Sequence, residues 1–271
     1  MRSTVASRKA LPPHPGAHND AMSDAPGTTD GRPGRLRRLA RALCFAVGTA
    51  LVVTLVGTLV RDGFDPLVRA DEGFIRWATD ITRAHPGLRS ALVVWQELAQ
   101  PLNLYVVGTL LCVHVAWRGL RTRALWCFAT MMVSWVLALG AKEVWQRARP
   151  VVQDPVSHAP GYSFPSGHAT NAAAFCTATV LLLWPLLGAV ARRVALVAAM
   201  VFVVLTALDR TFLGVHFPSD VWTGVLLGCG LVTSSYLGWT RWRPPADDAP
   251  EEVASPNRSS RTGPSALRQE S

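Results

Sequence analysis

The sequence predicts an all-α membrane protein, a bundle of six transmembrane helices flanked by polar tails. Three observations carry this. The middle of the 271-residue chain holds six apolar runs close to the length of ~20 residues that a bilayer crossing requires. Both ends, 1–35 and 244–271, are rich in Pro, Gly, Ser, Asp and Arg and poor in large apolar side chains, so neither can bury enough surface to offset the entropy of ordering. Arg residues cluster in alternate gaps between the runs, the pattern of cytoplasmic loops.

The runs come in order at 39–60, 92–117, 124–141, 170–187, 194–208 and 221–237, inside one domain spanning 36–243. Pro101 marks a kink or a late start in the second, and Pro185 stands near the end of the fourth. The fifth is short but very rich in Val, Ala and Leu. Between the first two, residues 65–84 place Leu67, Val68, Phe74, Ile75, Trp77 and Ile81 among charges. That stretch is too polar to span, and it fits either an amphipathic helix at the membrane surface or a capping loop.

Charge sets the expected orientation. Arg35, Arg37, Arg38 and Arg41 precede the first run. Arg118, Arg121 and Arg123 fall between the second and third, Arg192 and Arg193 between the fourth and fifth, and Arg241 and Arg243 after the sixth. Six crossings put all four groups on one side, with both termini cytoplasmic in a multi-pass plasma-membrane protein. The net charge of +9 sits in tails and short gaps, and no element presents a continuous basic face, which argues against a nucleic-acid partner. The five cysteines lie inside apolar runs without a CxxC pair, as small buried hydrophobes rather than disulfides or zinc ligands.

The three remaining connections, 61–91, 142–169 and 209–220, share the opposite, extracytoplasmic face. In the second, Lys142 and Arg149 are seven apart and share a helical face if the third helix continues, with Pro150 ending the run. The same connection closes on Pro165-Ser166-Gly167-His168. Ser166 suits a helix N-cap, Gly167 gives the backbone room, and the helix N-terminus beside His168 favours an anion. In the third connection Arg210 is followed by His216, Pro218 suits the first helical position, and Asp220 falls in the first turn. A carboxylate four residues after His216 can hold one ring nitrogen and leave the other as a nucleophile. Three cations at one place would repel a divalent metal and attract phosphate, for which Arg offers forked hydrogen bonds.

The set Lys142–x6–Arg149–Pro150, Pro165-Ser166-Gly167-His168 and Arg210–x5–His216–x3–Asp220 resembles the three-part signature of the type 2 phosphatidic acid phosphatase (PAP2) family, which shares its anion site with soluble haloperoxidases. The resemblance covers the third to sixth helices. It implies a phosphatase acting on a lipid phosphate or diphosphate drawn from the bilayer, without metal or other cofactor. By that resemblance His216 attacks phosphorus, Asp220 orients it, and His168 protonates the leaving oxygen and then activates water. Lys142, Arg149 and Arg210 hold the phosphoryl oxygens, and Ser166 and the Gly167 N–H help to stabilise the developing charge. One position departs: where the family has Ser before the Arg of the third motif, this chain has Asp209, which is expected to turn away or pair with a nearby Arg.

Overall fold

The computed structural model describes residues 31–151 and 160–239. Among these the chain forms α1 (Gly31–Arg61), α2 (Asp65–Ala84), α3 (Pro86–Leu98), α4 (Pro101–Trp117), α5 (Arg121–Trp145), α6 (Gly167–Leu183), α7 (Ala189–Phe212) and α8 (Pro218–Trp239), with a 3₁₀ turn at Trp184–Leu186. Among the described residues five helices are long and apolar enough to cross a membrane, and α3 with α4, bent by 47°, is long and apolar enough for a sixth if the pair is one span. The break has a local cause. Pro101 pushes Gln100 into an extended conformation (φ −56°, ψ 137°) and lacks the N–H that would continue α3.

The helices outrun their apolar runs, because a helix continues until a backbone signal stops it. One open choice closes and two expectations change. Residues 65–84 are a helix rather than a capping loop. Helix α7 continues to Phe212, so Asp209 and Arg210 lie in its last turn and not in a connection. Arg123 is no loop charge. It is a buried residue of α5 whose Nη1 donates to Leu181 O at 2.6 Å, and its guanidinium lies 5.5 Å from the Trp239 ring centre. A cation there caps the carbonyl end of α6. Helix α1 starts at Gly31, ahead of the boundary expected at 36; the rest of both tails, with His14 and His18, and residues 152–159, with His158, lie outside the described residues.

Helix α6 stands at the centre, packed on α4, α5, α7 and α8. In a bilayer the lipid is as apolar as a leucine, so close backbone approach and interhelical hydrogen bonds hold the bundle. The alanines of α6 and the glycines of α8 permit that approach. A Cβ at Gly228 would lie 2.3 Å from Thr170 O, and one at Gly224 2.8 Å from Ser166 O. Tyr105 Oη, on α4, lies 2.7 Å from Asn171 Oδ1 on α6 and 2.9 Å from Met131 O on α5. Apolar side chains face outward: of the most apolar stretch of α7 only 6% is buried, and Val190 is 73% exposed. A surface this apolar needs lipid against it.

The antiparallel order brings the C-terminal ends of α5 and α7 together with the N-terminal ends of α6 and α8. Helix α2 lies across this end, packed on α7 and α8 with Asp71, Ile75, Ala78, Thr79 and Thr82 buried. Its Thr82 hydroxyl donates to Phe212 O, the last residue of α7, at 2.8 Å.

Candidate active site

Each arm of the site is aimed by a backbone device. Helix α5 stops at Trp145 because Gln146 takes a left-handed conformation (φ 45°), its N–H donating back to Lys142 O at 3.0 Å. The chain then leaves the helix, so Arg149 is not on a helical face with Lys142, as the spacing alone suggests. Both still converge. The Lys142 ammonium donates to Tyr162 O at 2.8 Å, and its Cε is 3.7 Å from where a Cβ on Gly167 would stand. The Arg149 guanidinium donates to Pro160 O, Gly161 O and Val215 O at 2.8–3.0 Å.

Helix α7 ends in a Schellman motif. Gly214, at φ 74°, donates to Thr211 O (3.0 Å) and Val215 N–H donates to Arg210 O (3.2 Å). Gly214 can hold this backbone because it lacks a Cβ, and the turn delivers His216. Helix α8 then begins at Pro218, as expected. Asp220, in its first turn, accepts the Phe217 N–H at 3.0 Å, the reciprocal half of a capping box.

His216 is the hub. Its Nε2 lies 3.2 Å from Arg149 Nη1. A guanidinium can only donate, so Nε2 is the acceptor and the ring proton is on Nδ1. Nδ1 faces Asp220 Oδ2 at 3.5 Å and Ser163 Oγ at 3.4 Å, and Ser163 Oγ itself donates to Asp220 Oδ2. Burial pushes the His216 imidazole down to about 4, and the hydrogen bond and charge of Asp220 oppose this only in part. The side chain is therefore neutral near pH 7, with an unprotonated Nε2 whose electron pair accepts from Arg149.

His168, at the start of α6, lies within electrostatic reach of Arg210, His216, Lys142 and Arg149. Its Nε2 and the Ser166 Oγ are buried without a hydrogen-bond partner among the described residues. Ser166 does occupy the N-cap position, but its side chain makes no capping bond. Two buried polar atoms left open beside three cations form a place suited to an anion with several oxygens. A cavity of about 910 Å³ opens alongside, between α2 and residues 145–151, and includes Glu72, Arg76, Arg147, Arg149 and Phe217 in its walls.

Sequence reasoning missed the layer behind Asp220. Arg147 Nη1 donates to Asp220 Oδ1 at 2.6 Å and to Ser219 Oγ at 2.8 Å, and Nη2 donates to Asp71 Oδ2 at 2.7 Å. Asp71, from α2, also accepts the Ser219 N–H at 3.0 Å and the Ser219 hydroxyl. The guanidinium lies 4.1 Å from the Phe217 ring centre. Asp71 resembles any acid on an amphipathic helix, and nothing local marks it. Arg147 stood inside the first motif and Ser163 two residues before the second, and both could have been found by asking what neutralises a buried Asp220. Asp209 pairs with Arg210, as expected.

The PAP2 superfamily model matches residues 123–244, which include all eight residues singled out from the motifs. Phosphatidylglycerophosphatase B of Bacillus subtilis is 38% identical over 92 residues, 32% of this chain and 43% of that protein. Lipid A 1-phosphatase of Rhizobium etli is 36% identical over 124 residues, 42% of this chain and 47% of that protein. Decaprenylphosphoryl-5-phosphoribose phosphatase of Mycobacterium tuberculosis is 36% identical over 125 residues, 44% of this chain and 64% of that protein. The chain thus spans about half the length of the curated relatives it matches. The crystal structure of a transmembrane PAP2-type phosphatidylglycerolphosphate phosphatase from Bacillus subtilis superposes with a TM-score of 0.66 at 24% identity, covering 73% of this chain and 97% of that one, a likeness of fold. Residues 123–244 thus match the PAP2 superfamily model, and this multi-pass membrane chain shares the fold of a transmembrane PAP2-type phosphatase.

Proposed function

We propose that the protein is an integral membrane phosphatase that hydrolyses a lipid-linked phosphate or diphosphate through a phosphohistidine. One observation carries the reading: His216 offers a neutral Nε2 among cations while its Nδ1–H is backed by Asp220. In the first step the Nε2 electron pair forms a bond to phosphorus and the phosphorus–oxygen bond to the lipid breaks. His168 gives its proton to the departing oxygen. In the second step His168 takes a proton from water, the resulting hydroxide attacks phosphorus, and the phosphorus–nitrogen bond breaks to release phosphate. Lys142, Arg149 and Arg210 would hold the phosphoryl oxygens, with Ser166 Oγ and the Gly167 N–H stabilising the charge that develops.

The names of the relatives support a lipid substrate, and the outward apolar faces support one that arrives from the bilayer. Undecaprenyl diphosphate, phosphatidic acid and phosphatidylglycerophosphate all fit this chemistry. The alternating Arg clusters support an extracytoplasmic site and cytoplasmic termini in the plasma membrane, with the phosphatase unit at 36–243 and tails at 1–35 and 244–271. The test is phosphate release from these three lipids by purified protein in detergent with EDTA. Release by wild type and none by His216→Ala is the expected result. Activity that survives in His216→Ala, or that EDTA abolishes, would sink the reading.

A further inference from the structure

The three cations of the site are not equivalent. Lys142 and Arg149 donate to main-chain carbonyls and to His216, all neutral acceptors that a phosphoryl oxygen can displace or join. Arg210 is held by a carboxylate. Its Nε donates to Asp209 Oδ2 at 2.8 Å, and its Nη2 donates to the same oxygen and to Gln96 Oε1 at 3.0 Å. Both side chains are buried, Asp209 at 1% and Arg210 at 2% exposure, so water screens the pair little.

The position of the carboxylate matters. A guanidinium grips phosphate most strongly through two N–H groups along one edge. Asp209 occupies the Nε–Nη2 edge, and Gln96 takes the other Nη2 proton. What remains is Nη1, which offers a single-nitrogen contact. Asp209 is also an incomplete structural partner: its Oδ1 is buried with no hydrogen bond among the described residues. A carboxylate fully engaged in holding the fold would not leave that oxygen open.

We infer that Asp209 competes with the phosphoryl group for Arg210 and so weakens the site's hold on phosphate, which lets the free product go while a lipid stays tethered by its chain. This rests on the phosphatase reading above. A lipid substrate is kept at the site by its chain in the bilayer as well as by its phosphate. Inorganic phosphate has only the cations. A negative charge beside Arg210 weakens the phosphate contact in both, and only the substrate has its chain to keep it at the site, so free phosphate leaves.

The experiment compares wild type with Asp209→Asn, Asp209→Ser and Asp209→Glu in detergent, using inorganic phosphate and orthovanadate as probes. Inhibition constants come from kinetics, and dissociation constants from calorimetric titration. Both neutral variants should bind phosphate and vanadate at least about tenfold more tightly, because a juxtaposed like charge is gone. Asp209→Glu, which keeps the charge, should stay near wild type. Unchanged or weaker binding in both neutral variants overturns the inference and makes Asp209 a support that holds Arg210. Failure of both to fold overturns it as well, because the carboxylate would then be needed for the fold itself. Wild type that neither binds the probes nor releases phosphate from any lipid would instead overturn the phosphatase reading.

Discussion

Replacing Arg147 with Met is the sharpest test of how the site is built. Met keeps an apolar stem against Phe217 but removes the charge. Three hydrogen bonds of 2.6–2.8 Å disappear, to Asp220, Ser219 and Asp71. Two carboxylates then remain buried at 3% exposure or less with no cation between them. Removing one partner of a buried ion pair typically costs about 3–5 kcal/mol. At roughly 2–4 °C per kcal/mol for a chain of this size, the melting midpoint should fall on the order of 10 °C. Tryptophan fluorescence in detergent can follow it, since the chain has ten Trp residues. Adding Asp71→Asn to Arg147→Met removes one of the two orphaned charges, so the double variant should melt higher than Arg147→Met alone. An Arg147→Met midpoint within about 2 °C of wild type would refute the reasoning, because the bridge would then contribute less than a surface pair.

Four further outcomes are expected. Because burial depresses His216 from its ordinary 6.5 to about 4, the unfolded chain binds the extra proton across that window, so stability should rise with pH from about 4 to 6.5 and be lost as pH falls through it. A denaturation midpoint that is flat or falling from pH 4 to 6.5 would contradict this. By the same shift, the acidic limb of kcat/KM that belongs to the nucleophile should lie well below 6.5, and a limb centred at 6.5 would count against a buried neutral His216. His168→Ala should lower kcat by about 10²–10⁴ with a smaller change in KM, and a leaving group of low pKa, such as p-nitrophenol, should recover part of the loss because it needs no proton; no recovery would remove His168 from the acid role. Gly228→Ala puts a methyl group 2.3 Å from Thr170 O, so α6 and α8 must separate at a cost of about 1–3 kcal/mol, visible as a lower melting midpoint.

Much of this protein is legible in one dimension. Spans follow from runs of apolar residues, because a bilayer leaves a helix no other way to satisfy its backbone, and all six are visible as such runs. The convergence of the candidate site is legible too. Lys142, Arg149, Ser166, Gly167, His168, Arg210, His216 and Asp220 stand in short motifs at helix ends, where spacing along the chain is nearly spacing in space. Pro218 is a readable helix start for the same reason.

Tertiary structure decided what depends on distant pieces of chain. Whether residues 65–84 form a helix or a loop turns on Asp71 being buried against α8, since a charged side chain points inward only where a partner waits, here Arg147 and Ser219. The reach of Arg149 depends on Gln146 ending α5 and not on a helical repeat. Where Asp209 points depends on α7 running on to Phe212 and on Gln96 arriving from α3. Sequence by itself determined which groups meet at one end of the bundle, because motif and helix end are local properties. Only packing determined which of them neutralise one another, because a buried charge takes its partner from whatever element the fold brings within hydrogen-bond reach.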